Sequence, residues 1–167
     1  MKLYVQGDNL LAFLAEERAP MLAGLSAEQA REYLARWVAR YCEMRDCDGR
    51  LVFGPAPDGE VRAPTRHFGP VTVTNCPPGV EARAEIAGPA NRDAVEQRTL
   101  VVTDDWTIAE ALRNGKARVL TPARFVAAVR ELIGKDGRGL AAEPDEKFSG
   151  LSEDEVDLWM EYFDGED

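Results

Sequence analysis

Short β-branched runs recur along this chain between stretches of helical periodicity, and that alternation most restricts what it can fold into. The runs at 3–5, 51–53, 71–74, 100–103 and 118–120 read as strands. Strands separated by helices cannot close as tight hairpins. They pair in parallel through crossovers, which predicts an α/β fold with three layers and a five-stranded parallel sheet. At 167 residues there is room for one such domain and a short appendage.

The clearest helix lies between the first two strands. Ser26 and Gln29 form a capping box, and Tyr33, Leu34, Trp37, Val38, Tyr41 and Cys42 recur at helical spacing as one apolar stripe, which reads as core. Arg31, Arg36, Arg40 and Arg45 lie mostly off that stripe and read as a solvated face, with phosphate binding as the alternative. A short helix is expected over 107–114, stopped by Gly115. A further one is capped by Thr121, starts at Pro122, turns Phe125, Val126, Val129, Leu132 and Ile133 inward, and ends at Gly134.

Charge divides the chain again. Between 141 and 167 eleven acidic residues face one base, Lys147, which accounts for the whole net charge of −10; the remaining body is neutral. A low isoelectric point therefore does not exclude an RNA-facing surface on the body, although no basic stripe is present. The expected organisation is a domain over 1–136, a polar linker over 137–150 and an acidic amphipathic C-terminal helix over 151–167. Ser152 with Glu155 would cap that helix, and Val156, Trp159, Met160 and Phe163 would form its apolar face. Such a face docks on its own body or on a protein partner, through residues 151–163.

Cysteine and histidine are sparse. Cys42, Cys47 and Cys76 lack zinc-knuckle spacing, and His67 is the single histidine, so these read as core or surface residues. No apolar run approaches the length of a membrane span and no signal-peptide pattern opens the chain, which sets the expectation of a cytoplasmic protein without a membrane partner.

In an open parallel sheet the site lies beyond the carboxyl ends of the strands, where chain order reverses. Those ends carry Gln6, Gly7, Asp8 and Asn9 on one side and Thr103, Asp104 and Asp105 on the other. Carboxylates gathered there would repel one another unless a divalent cation sat between them, the usual arrangement for Mg²⁺-dependent phosphodiester cleavage. Asp8 and Asp104 also read as turn or helix-cap residues.

The order of these short motifs resembles the YacP-like NYN family of PIN-type ribonucleases. In that family a strand runs into Asp-Gly-Tyr-Asn-Leu, a long helix follows, and a second strand ends near Phe-Asp. An Ala-Asp-Asp/Glu-x-Ile segment and a strand ending Thr-Ser-Asp come later. The match runs from Lys2 to about Ile133, and 151–163 is similar to a C-terminal tail that many bacterial members carry. The resemblance implies the strand order 3-2-1-4-5, a site containing Asn9 and Asp105, and activity as a metal-dependent endoribonuclease acting on RNA or at a ribosome.

Carried over position by position, the metal-binding aspartate of the opening motif falls on Gln6, Phe-Asp becomes Phe53-Gly54-Pro55, and Arg83 stands at an acidic position flanked by Glu81 and Glu85. Gly88 and Pro89 then interrupt a helix that is continuous in the family. Two readings follow. The first is a protein with a degenerate site and no cofactor, binding RNA, a ribosome or a protein, in which Gln6, Asn9, Arg83 and Glu85 line the cleft. The second is an active Mg²⁺- or Mn²⁺-dependent endoribonuclease using Asp8, Asp104 and Asp105, with Asp104 and Asp105 on the metal.

Overall fold

The structure is a computed structural model, and it describes residues 1–57 and 60–136. The first helical turn follows the first strand without a loop: β1 (Lys2–Gln6) passes directly into α1 (Gly7–Glu16). Next come α2 (Ala27–Arg45), β2 (Asp48–Phe53), β3 (Thr65–Phe68), β4 (Val71–Asn75), α3 (Ala82–Glu96), β5 (Thr99–Val102), α4 (Trp106–Leu112), β6 (Arg118–Leu120) and α5 (Pro122–Asp136).

One sheet joins the strands in the order β3-β4-β2-β1-β5-β6. The expected all-parallel sheet of five is thus corrected to a mixed sheet of six. The five strands marked by the sequence pattern pair in parallel, and β3 adds an antiparallel edge beside β4. Three residues of β3 are exposed, so it lacks the apolar β-branched run that marks the others.

Alternation along the central strand sorts the two faces. Leu3 and Val5 point into one core with α1, α2 and α5, whereas Tyr4 points into a second core with α3 and α4. The stripe on α2 is buried as its spacing predicts, and Ser26 and Gln29 form the capping box. Phe125 on α5 meets Trp37 and Tyr41 edge-on, with ring centroids 6.2 and 5.1 Å apart. Each such ring contributes on the order of 1.5–3 kcal/mol by leaving water.

Helix α2 ends in a Schellman motif. Asp46 takes the left-handed conformation at φ 50°, its N–H bonds to the Glu43 carbonyl, and the Cys47 N–H bonds to the Cys42 carbonyl at 2.9 Å.

Three expected boundaries move. Pro89 lies inside an unbroken α3, where Ile86, Ala87, Ala90 and Ala94 are buried against the sheet; their packing outweighs the roughly 3 kcal/mol that proline costs a helix. Gly134 does not end α5, which continues to Asp136. The helix expected over 107–114 starts earlier, at Trp106, because Asp105 caps it. The expected linker over 137–150 and acidic helix over 151–167 lie outside the described residues.

Candidate functional site

Parallel pairing of β1 with β5 brings their carboxyl ends side by side. Gln6 and Thr103 continue the face that Tyr4 and Val101 bury, so both side chains point the same way. They meet directly: the Thr103 hydroxyl donates to Gln6 Oε1 at 2.5 Å. Thr103 Oγ1 in turn accepts from the Asp105 N–H at 3.0 Å, which folds the loop after β5 back over the end of β1.

Asp105 then caps α4. Its Oδ1 accepts from the Thr107 N–H at 2.9 Å and from the Thr107 hydroxyl at 2.7 Å. Those bonds, the Thr107 hydroxyl foremost, hold the Asp105 carboxyl below its usual range, with partial burial opposing them and the Gln6 side chain and Ile108 N–H assisting. Asp105 is therefore an anion at neutral pH whose charge is shared among amide and hydroxyl donors.

Asn9 clamps the neighbouring residue. Its amide donates to Asp104 Oδ1, and its Oδ1 accepts from the Asp104 N–H at 3.0 Å. Gln6, Asn9, Asp104 and Asp105 thus come together as one constellation, with Thr103, which the sequence offers only as part of the strand end, as a further member. The signal for Thr103 was its place one residue beyond a buried strand, on the same face as Gln6.

The other expected residues fall elsewhere. Asp8, in the first turn of α1, accepts from the Gly54 N–H at 2.6 Å and is thereby held at the end of β2. Glu85 reaches under α3 to Arg50, at 3.3 Å, and Arg50 also faces Thr74 Oγ1 at 3.4 Å. Beside this group the buried Tyr4 hydroxyl donates to Asp93 at 2.6 Å, and burial with that carboxylate pushes it up to about 12. Burial also pushes up the Cys76 thiol, with Glu85 and Asp8 adding to the effect, so both carboxylates lie within electrostatic reach of the end of β4. Arg83 is exposed near the start of α3 and makes none of the contacts that join Gln6, Asn9, Thr103, Asp104 and Asp105. Among the described residues no three His, Cys, Asp or Glu side chains converge as a metal-binding group.

One large side chain beside the site stands in solvent. Trp106, next to Asp105 at the first position of α4, is 73% exposed. The sequence offered only its neighbourhood as a clue.

No protein-family model matches the sequence, and no curated protein matches it significantly. Solved structures do. The crystal structure of Rae1 (YacP) from Bacillus subtilis aligns with a TM-score of 0.65 at 20% identity, covering 99% of this chain and 95% of that one. A single-substitution mutant of the same protein aligns with the same score and identity over 82% and 79% of the two chains. The YacP-like resemblance read from the motifs is borne out in the architecture, and the chain has the fold of YacP.

Proposed function

We propose that this chain is a YacP-like NYN protein related to metal-dependent endoribonucleases, that its strand-end site is degenerate, and that it acts by binding RNA, free or on a ribosome. The observation that carries the reading is the pairing of Gln6 with Thr103. Mg²⁺ and Mn²⁺ require several hard oxygen ligands, normally including carboxylates. Gln6 offers a neutral oxygen already engaged by a hydroxyl. Asp105 Oδ1 is engaged by both donors of Thr107 and Asp104 Oδ1 by Asn9, while Asp8 is tied to Gly54. This donor set does not fit a carboxylate-held cation.

Binding remains well served. An exposed indole next to a polar strand-end cleft is a stacking platform for an unpaired base, a contact worth about 1–3 kcal/mol per base. Exposed Arg83 supplies a guanidinium for a phosphate on the same side of the sheet as α4. Within this reading residues 1–136 form the RNA-facing domain, 137–150 a linker and 151–167 an acidic helix, of which 151–163 contacts a protein partner.

The test pairs binding with cleavage. Trp106 fluorescence should be quenched by a single-stranded RNA oligonucleotide in the presence of EDTA, and Trp106→Ala should weaken binding about tenfold, as loss of one stack implies. With Mn²⁺ the RNA should remain intact. Gln6→Asp with Arg83→Asp should raise Mn²⁺ affinity by restoring acids. Robust wild-type cleavage abolished by Asp105→Asn would establish the active endoribonuclease instead, and RNA that neither binds nor is cut would remove RNA as the partner.

A further inference from the structure

Another group of chemistry-bearing side chains meets at the opposite end of the sheet, where α2 hands over to β2. A Schellman ending brings the third residue from the helix end against the second residue beyond it. Here those positions are Cys42 and Cys47, joined by the backbone bond from the Cys47 N–H to the Cys42 carbonyl. That ending sets the two buried side chains side by side, and each thiol is the leading electrostatic partner of the other. Both are reduced, Cys42 wholly buried and Cys47 6% exposed.

The pocket around them is shaped by what is missing. A side-chain carbon on Gly49 would lie 2.9 Å from Cys42 Sγ and 2.8 Å from Val71 Cγ2, so glycine there leaves the sulfur its space. Electrostatics divide the two thiols. The interaction with Cys42 lowers the pKa of Cys47, and the N-terminal ammonium and Arg45 assist, against burial and Asp48. The same interaction and burial push Cys42 up. One thiol is thus disposed to ionise while the other holds its proton beside it, the arrangement of a nucleophile and its resolving partner.

We propose that Cys42 and Cys47 form a dithiol modification site that takes small disulfides as its oxidant and closes to an intramolecular disulfide across the end of α2. The Cys47 thiolate attacks one sulfur of RS–SR, the S–S bond breaks, and RS⁻ leaves with the electron pair. Cys42 then gives its proton to the departing thiolate pool and attacks the Cys47 sulfur, breaking the mixed disulfide and releasing the second RS⁻. Two protein thiols are oxidised by two electrons, and one small disulfide is reduced to two RSH. Cys76, at the carboxyl end of β4, lies at the other end of the sheet and takes no part.

The experiment uses the full reduced chain and glutathione disulfide under native conditions, followed by alkylation of remaining thiols and peptide mapping by mass spectrometry. The expected product is a Cys42–Cys47 cross-link lacking two hydrogens, with Cys76 alkylated. Cys42→Ser should accumulate glutathione on Cys47, and Cys47→Ser should leave Cys42 several-fold less modified. A folded wild-type chain in which Cys42 and Cys47 stay alkylatable overturns the proposal. So does a cross-link that forms only in denaturant, or preferential oxidation at Cys76. Because the mapping is done on the unmutated chain, a variant that fails to fold leaves the result decisive.

Discussion

Replacing Asp105 separates its role in holding α4 from any role in chemistry. In the structure its Oδ1 accepts two bonds from Thr107, at 2.9 and 2.7 Å, and its own N–H is held by Thr103. Asp105→Ala removes the cap and orphans the Thr107 hydroxyl. Loss of such a cap costs about 0.5–2 kcal/mol. In a domain of this size the midpoint of thermal unfolding should fall by roughly 4 °C per kcal/mol. Asp105→Asn keeps an acceptor oxygen and should lose about 0.5 kcal/mol or less.

The pH dependence has a definite sign. The folded-state carboxyl is held below its unfolded value near 3.9, so its contribution is complete above that pH and disappears as pH falls through the lower folded value. The gap between wild type and Asp105→Ala, measured by urea denaturation, should be constant from about pH 5 to 8 and narrow in more acid buffer. Equal stability of wild type and Asp105→Ala would refute the capping account. An Asn variant as unstable as the Ala variant would do so too.

Gly7→Ala should be destabilising even though alanine favours helices. The new carbon would lie 2.6 Å from Cδ1 and 2.8 Å from Cζ of Phe53, a ring 1% exposed, and overpacking of that kind costs about 1–3 kcal/mol; an unchanged urea midpoint would count against the packing described. Tyr4→Phe strips the buried hydroxyl from Asp93 and should cost about 1–3 kcal/mol. The stability gained from keeping Tyr4 protonated is full below about pH 10 and lost as pH rises toward about 12, so alkaline unfolding curves of wild type and variant should converge. Deleting residues from Gly150 onward should alter thermal stability or the set of co-purifying proteins; no change in either would remove the tail's apolar spacing as a docking face.

Legibility in the sequence followed burial. The buried β-branched strands and the capped stripe on α2 announce themselves because their side chains must leave water, and that requirement writes a period into the chain. Helix α1 has a weaker signature, since Gly7, Asp8 and Asn9 at its start are poor helix formers although Leu10 and Leu14 repeat at helical spacing and are wholly buried. Strand β3 carries no such record because its side chains stay largely in solvent. At the site, Gln6, Asn9, Asp104 and Asp105 were legible from their place at two strand ends. That Glu85 would turn to Arg50 and Asp8 to Gly54 was not, because a carboxylate's partner is chosen by tertiary neighbours that no local pattern encodes.

The antiparallel strand at the margin also governs what this molecule can join. Without β3, the row of backbone groups along β4 would be open to strand addition by any extended peptide. Instead β3 occupies it, with Asn75 also fastening the approach through Ala63 and Pro64, and Arg66 lying 5.1 Å over the ring of Phe68. The new margin is four residues long and largely polar, and the far margin, β6, has only three residues. Among the described residues neither margin of the sheet offers a long flat edge for strand addition, so crowding should not drive edge-to-edge stacking there, and the helix faces and strand-end loops are the surfaces left for gripping a partner.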